Sequence, residues 1–395
     1  MDLKASYAHA KALYESSRWP EAIAVYRAIV AVHPAELQAW ALMGLCATQA
    51  GDLALATMAL RQAVVLEPTA ANIHFRLGIV LYRQGFADDA EAAFRRTIAL
   101  DPSNADAVQN LAAVLVDRGR GREAQPYFEQ LIARDPRHEL AWAGLANIHL
   151  AANDRAAAIQ CLEQAVAINP ANTATRHLLM AAKGERPQHP DWSYVESFFD
   201  DYADRFEHHL VNRLNYVAPQ TLTEVIQAAM PQRRFNSVLD LGCGTGLFGA
   251  AFRHVFPGDV LVGVDLSRRM VQAASARKIY TDAHKAEASA YLRGTFQTFD
   301  LIAATDVLIY VGDVTELIQQ AAQRLNPTGL LAFTIETTDA PGFVLEQTGR
   351  YAHNRADLVA VAHHAGLDVV TERAAPLRQH GAQNEVGLYL VFQRR

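Results

Sequence analysis

The sequence predicts an α-solenoid of five helix pairs joined to a doubly wound, mostly parallel α/β sheet of seven strands. Three observations carry that expectation. The first half repeats with a strict period, the second half switches to short apolar runs alternating with helical stretches, and residues 238–249 run from a strand into a glycine-rich turn. At 395 residues the chain exceeds one ordinary hydrophobic core, so more than one domain is expected.

The composition excludes several classes of function. Half the residues are apolar and 20% are charged, as in a soluble globular protein. Residues 1–186 hold 18 Lys and Arg against 19 Asp and Glu, and the remainder holds 18 against 23. Neither half has the basic excess that binding a phosphate backbone requires, so nucleic acid is not an expected partner. Cys46, Cys161 and Cys243 are widely separated, with no CxxC pair, which fits a reducing compartment and argues against a disulfide framework or thiolate zinc site. The segment MDLKASYAHAKALYESS lacks a basic start and an apolar run, and no stretch reaches the ~18 apolar residues of a membrane span. A cytoplasmic protein is expected.

Prolines fall at Pro34, Pro68, Pro102, Pro136 and Pro170, and alanines at Ala22, Ala56, Ala90, Ala124 and Ala158, each series in steps of 34 residues without a slip. Alanine suits the close approach of two paired helices, and proline ends the second helix of each pair. Leu77, Leu81 and Phe94 show the apolar spacing within the third unit, and Gly44 and Gly78 allow close contact between helices. Together with Trp40, Trp142, Leu111, Leu145, Tyr26 and Phe128, these positions resemble the tetratricopeptide repeat family. The resemblance covers residues 3–172 as five units, with 173–185 expected as a capping helix. It implies a surface that binds a protein or peptide, and a structural spacer is the competing reading.

Lys183–Pro190 breaks the periodicity with one glycine and two prolines. The expected organisation is therefore a repeat domain over 1–186, a helical linker or lid over 187–234, and an α/β domain over 235–395. In the linker, Tyr194, Phe198, Tyr202, Phe206 and Leu210 recur at i+4 and share one helical face with an interruption. Such a stripe packs on the next domain or closes over a ligand.

Strands are expected at Ser237–Leu241, Val260–Val264, Ala283–Ala286, Phe299–Ala304, Leu330–Ile335, Asp368–Glu372 and Val386–Phe392. The turn after the first contains Gly242, Gly244, Gly246 and Gly249, where the backbone can approach a ligand. Asp265 follows the second strand, placed to accept from ribose hydroxyls. Gly244–Gly249 also satisfies the dinucleotide pattern G-x-G-x-x-G with an acid about 20 residues on, so a nicotinamide oxidoreductase is the rival reading. Asp240, still within the strand, counts against it, because a pyrophosphate tolerates no nearby carboxylate whereas an ammonium group welcomes one.

Asp240-x-Gly242-x-Gly244-x-Gly246 resembles the motif of class I S-adenosylmethionine-dependent methyltransferases, over residues 191–395. GVDLSRRM (263–270), KAEASAYL (285–292), FDLIAATDVLIYVGD (299–313) and LNPTGLLAFTIE (325–336) look like that family's successive strand-and-loop segments. Thr328 stands where the family usually has glycine, a departure expected to be harmless. YVESFFDDYADRFEHHL, GRYAH (349–353) and NEVGLYLVF are similar to segments of methyltransferases that carry tetratricopeptide repeats. The resemblance implies a Rossmann-like fold that binds S-adenosyl-L-methionine and releases S-adenosyl-L-homocysteine. It implies cofactor contacts from Asp240, Gly242, Cys243, Gly244 and Gly246, from Asp265, Leu266 and Met270, from Glu287 and Ala288, and from Thr305. Tyr202 and Phe206 would cover the methionine end.

Methyl transfer needs an aligned nucleophile and a desolvated site, and no metal. Asp306, Tyr310, Tyr351 and His353 are the candidate catalytic residues near the mouth of the sheet, each with a supporting role as the alternative. His208-His209 and His363-His364 are poor joint ligands, since helical neighbours point about 100° apart. Thr305-Asp306-Val307-Leu308 stands where enzymes methylating the amino groups of bases carry Asn/Asp-Pro-Pro-Tyr, and no cysteine follows the fourth strand. Three functional readings follow: a methyltransferase acting on a docked protein or peptide, a small-molecule methyltransferase whose repeats serve assembly, and a non-catalytic adaptor.

Overall fold

The computed structural model describes residues 2–212, 214–256, 258–380 and 383–395. The chain divides into two compact units, Met1–Asn169 and Pro170–Arg395.

The first unit is five antiparallel helix pairs: α1 (Leu3–Glu15) with α2 (Trp19–Val32), α3 (Leu37–Ala50) with α4 (Leu53–Leu66), α5 (Ala71–Arg83) with α6 (Ala87–Leu100), α7 (Ala105–Asp117) with α8 (Gly121–Arg134), and α9 (Glu139–Ala151) with α10 (Arg155–Ile168). The five periodic alanines are all 0% exposed, so each occupies the closest point of its pair. A Cβ on Gly44 would stand 2.7 Å from Leu60, and one on Gly78 would stand 2.6 Å from the Phe94 ring. Each periodic proline lies in the turn just beyond the second helix of its pair. A further regularity follows from the period. Trp40, His74 and Trp142 hold the same repeat position, and each ring N–H donates to the proline carbonyl six residues earlier, at 2.8, 3.0 and 3.0 Å. The bond ties the start of the second, third and fifth repeats to the end of the one before, while Val108 stands at this position in the fourth.

The second unit opens with α11 (Thr173–Lys183), α12 (Trp192–Tyr202), α13 (Phe206–Asn212) and α14 (Ala218–Ala229). The expected capping helix forms, but α11 is counted with this unit and not with the repeats. His177 explains why: its imidazole is buried to 1% exposure, donates to the Gly349 carbonyl at 2.8 Å and packs on the Tyr194 ring.

The α/β part follows as β1 (Ser237–Leu241), α15 (Leu247–Val255), β2 (Val260–Asp265), α16 (Arg268–Ala276), β3 (Asp282–Lys285), α17 (Ala288–Gly294), β4 (Phe299–Ala304), a 3-10 turn at Leu308–Tyr310, α18 (Thr315–Arg324), β5 (Leu325–Thr337), β6 (Phe343–Leu345), β7 (Tyr351–His353), α19 (Arg355–His364), β8 (Leu367–His380) and β9 (Gln383–Arg394). The first five strands run parallel in the order β3-β2-β1-β4-β5, and β9 and then β8 continue antiparallel. That is the expected seven-stranded sheet. Two short strands the sequence did not announce, β6 and β7, extend it to nine, β7 pairing in parallel with the end of β5. Their three-residue length is below what alternation can reveal.

Alternate strand residues feed two apolar layers. Leu239, Leu241, Val264, Ile302 and Phe333 face α18 and α19 on one side, while Val238, Leu261, Leu301 and Ala303 meet α14 and α15 on the other. β5 and the last two strands are longer than expected. β5 begins early, at a pairing of Leu325 with Phe299, and its register shifts before Leu330. Thr328 lies there at φ +61°, so its departure from glycine is not harmless. A β-branched residue in left-handed backbone is strained. Thr328→Gly is expected to raise stability by about 1 kcal/mol in urea unfolding, the relief of strain exceeding the cost of the added freedom of the unfolded chain.

Candidate active site

Strand order reverses between β1 and β4, and in open α/β sheets the ligand crevice lies outside the carboxyl ends of the strands at that point. The loop after β1 and the loop after β4 meet there. Gly242 has φ +64°, and a Cβ on it would come 2.3 Å from Val307, so only glycine lets the two loops approach. Gly244 has φ +53°, with the Phe206 ring 3.6 Å from the position of a Cβ. Cys243 is buried, and burial pushes its thiol well up, which fits a small packing residue.

Asp265 holds this loop open from β2. One carboxylate oxygen accepts the Gly244 amide at 2.8 Å and the other accepts the Ser267 amide at 2.8 Å. Burial pushes its pKa up to about 6, against the pull of those amides. Asp240, 1% exposed, accepts the Tyr280 hydroxyl at 2.6 Å, and burial pushes it up to about 7. The expectation that Asp240 receives an ammonium group therefore has a competitor in Tyr280, a residue the sequence did not single out. Glu287 caps α17, accepting the Ser289 and Ala290 amides at 2.7 Å each, so both its oxygens serve the helix in this structure. Met270 is fully buried, Leu266 and Ala288 are half-buried, and the Thr245 and Thr305 hydroxyls are buried without a protein partner.

A raised native pKa makes Asp240 a stability sensor. The folded state keeps its proton from about pH 4 to 7, where the unfolded chain has lost it, so stability falls as pH rises through that window. Asp240→Asn keeps an acceptor for Tyr280 and removes the titration. Urea unfolding is expected to show the variant gaining on the wild type by on the order of 3 kcal/mol between about pH 5 and pH 8.

α12 and α13 lie over this edge. Asp200 accepts the Ser267 hydroxyl at 2.5 Å and the Arg269 amide at 3.2 Å, Asp204 pairs with Arg269, Glu196 with Lys285 at 2.5 Å, and Glu207 with Arg277 at 2.5 Å. The aromatic face differs in part from the one expected. Phe206 does reach Gly244, but Phe198 is 42% exposed and Tyr202 turns to His209 and Phe206. Phe199, outside the i+4 series, points inward and meets Tyr310 edge-on at 5.1 Å. The break between α12 and α13 rotates the stripe, which a continuous helical count misses.

The four candidate catalytic residues separate into two groups. Asp306 follows β4 at φ +56° and accepts from Thr334 at 3.1 Å and from Arg378 at 2.5 Å. Tyr310 closes the same loop. Tyr351 and His353 lie elsewhere, in β7. Tyr351 is 0% exposed against Phe343 and His177, and His353 donates to the Leu308 carbonyl at 3.0 Å. His353 thereby supports the loop holding Tyr310, while Tyr351 packs among aromatic rings away from it. Sequence proximity to the sheet end could not reveal this, because β6 and β7 were unseen.

Around Asp306 stands an ion cluster that sequence reading missed. Arg378 of β8 pairs with Asp306, with Glu336 of β5 and, at 2.6 Å, with Glu385 of β9, while Arg350 bonds Glu336 at 2.9 Å and Glu385 at 3.0 Å. Burial pushes Glu336 up to about 7 with Arg378 opposing, and it raises Asp306 against the same guanidinium. Among the described residues, no group of three His, Cys, Asp or Glu side chains is placed to hold a metal ion.

Comparison with known proteins bears on both units. Residues 213–372 match the model of a methyltransferase domain, and residues 7–71, 81–148 and 115–183 match models of the tetratricopeptide repeat. The chain joins tetratricopeptide repeats to a methyltransferase domain. Relatives include a trans-aconitate 2-methyltransferase of Deinococcus radiodurans, 31% identical over 28% of this chain and 42% of the relative. A malonyl-[acyl-carrier protein] O-methyltransferase of Halalkalibacterium halodurans is 26% identical over 46% of this chain and 68% of its own length. The match thus spans less than half of the first relative. A magnesium protoporphyrin IX methyltransferase of Synechocystis PCC 6803, solved with S-adenosylhomocysteine, superposes with a TM-score of 0.41 at 18% identity, covering 52% of this chain and all of that one.

Proposed function

We propose that the chain transfers the methyl group of S-adenosylmethionine to an acceptor held beside the loop after β4. The observation that carries this reading is the pair of bonds that Asp265 accepts from the Gly244 and Ser267 amides, which fixes a left-handed glycine loop at the switch point of a methyltransferase domain. The residues fit the cofactor: Gly244 gives backbone without a side chain, and the Thr245 hydroxyl is a buried polar atom awaiting a partner. When bound, S-adenosylmethionine supplies an activated methyl on a sulfonium. Asp265 and the loop amides would hold the nucleoside, and Phe199 and Phe206 would keep water from the sulfonium. Metal ions have no assigned part.

The catalytic part is taken as 235–395, with 187–234 as its cover and 1–186 as the repeat domain. Repeats of this type present a surface to other proteins, and we assign them a protein or peptide partner. Whether that partner is also methylated separates the two acceptor readings. The names of the relatives, trans-aconitate and malonyl-[acyl-carrier protein] methyltransferases, favour a small acceptor group. No helix of the described residues is long and apolar enough to cross a membrane.

Calorimetric titration tests the cofactor. S-adenosylhomocysteine is expected to bind with a dissociation constant on the order of micromolar, about −8 kcal/mol, and NAD to give no saturable heat. Saturable NAD binding without a response to S-adenosylhomocysteine would restore the nicotinamide reading.

A further inference from the structure

We propose that the methyl acceptor is an aliphatic amine, which enters as its ammonium ion and docks against the acidic face formed by Asp306, Glu336 and Glu385. The proposal rests on the S-adenosylmethionine reading above and adds the acceptor class. Asp306 follows β4 and Glu336 lies near the end of β5, so both stand at the same end of the sheet as the glycine loop. Glu385 and Arg378 come from the part of the β8–β9 hairpin that continues beyond its last pairing with β5, at Ile335 and Leu388.

The charge of the cluster decides the class. Two guanidinium groups, Arg350 and Arg378, face three carboxylates, and both are engaged by them. Arg378 is 7% exposed and Arg350 22%, against 12%, 20% and 30% for Asp306, Glu336 and Glu385. With all five groups ionised the cluster keeps one negative charge in excess. A carboxylic acid acceptor, of the kind named for the relatives, would bring a fourth like charge to this face; an ammonium ion brings it to balance. Two independent features agree. The buried Thr305 hydroxyl, beside Asp306 in the chain, lacks a partner and can accept an N–H. Tyr310 and Phe199, packed edge-on at 5.1 Å, line the adjoining wall with aromatic carbon, which suits a cation.

The chemistry balances. The ammonium gives one proton to Glu336, whose neighbours are Arg378, Arg350, Glu385 and Asp306, and whose burial holds it near neutrality. The freed nitrogen lone pair forms the C–N bond as the C–S bond breaks, its electron pair staying on sulfur. The positive charge passes from sulfur to nitrogen, giving a methylammonium product, and Glu336 returns its proton to water.

The test uses the full chain in three steps. S-adenosylhomocysteine is titrated first. The loaded protein is then titrated separately with 1,5-diaminopentane and with trans-aconitate, and transfer of labelled methyl from S-adenosylmethionine to each is measured. Expected are binding and labelling of the diamine, neither for trans-aconitate, and a loss of at least about tenfold in kcat/KM for Glu336→Gln, with S-adenosylhomocysteine affinity kept as evidence of folding. Glu385→Gln is expected to raise KM with little change in kcat. Binding or labelling of trans-aconitate in place of the diamine, or of neither probe by the loaded protein, overturns the acceptor class alone. Failure of the first titration overturns the cofactor reading as well.

Discussion

Asp265→Ala is expected to weaken S-adenosylhomocysteine binding by about 100-fold or more while the domain stays folded. Its carboxylate accepts two backbone amides, and hydrogen bonds to a charged group contribute about 1.5–3 kcal/mol each. Without it the Gly244 amide has no fixed acceptor, and the loop must be ordered by the ligand at the expense of affinity. Folding is spared for a separate reason. Burial raises the native pKa of Asp265 to about 6, above its unfolded value, so the ionised carboxylate weighs on the fold as pH rises through that range. Calorimetry and thermal melts at about pH 8 should therefore move apart, affinity falling sharply and Tm little. A parallel collapse of both would mean that Asp265 is structural.

Arg378→Met is expected to destabilise the second unit by about 3–5 kcal/mol in urea unfolding at about pH 8, because it strips the shared cation from three partly buried carboxylates. The loss should shrink as pH falls. Glu336 already sits at about 7 with Arg378 beside it, and removing that guanidinium raises it further. Protonation then relieves the repulsion, so stability of the variant improves on acidification through that pKa. A pH-independent loss would assign the effect to packing of the arginine stem instead.

The period of the first unit was legible because each residue at a repeat position meets the same local environment five times. Ala22 and its counterparts are buried by helix contacts within their own pair, so spacing alone located them. The parallel strands and the glycine loop were legible for a similar reason, since a strand followed by glycines is a local signal. The ion cluster was not. Arg350, Glu336 and Glu385 stand in GRYAH, LNPTGLLAFTIE and NEVGLYLVF, segments already singled out, yet their pairing depends on a hairpin longer than its apolar pattern suggests. Charged residues interrupt the alternation from Arg373 onward, and the expected strand stopped at Glu372. The inward turn of Phe199 escaped because a break in the helix rotates its face. The surroundings of Tyr351 and His353 escaped because the short strand that carries them leaves no periodic trace.

The hairpin that brings Arg378 and Glu385 forward also separates two kinds of inheritance. Beyond Leu388 its rungs join only β8 to β9, so the side chains there other than Arg378 and the buried Leu377 can be exchanged without disturbing the ladder that carries the glycine loop. A domain built this way can trade one acceptor for another at its projecting end while its donor crevice stays the same. Replacing residues 384–386 by those of a relative, with Arg378 kept, should move acceptor preference without moving the affinity for S-adenosylhomocysteine.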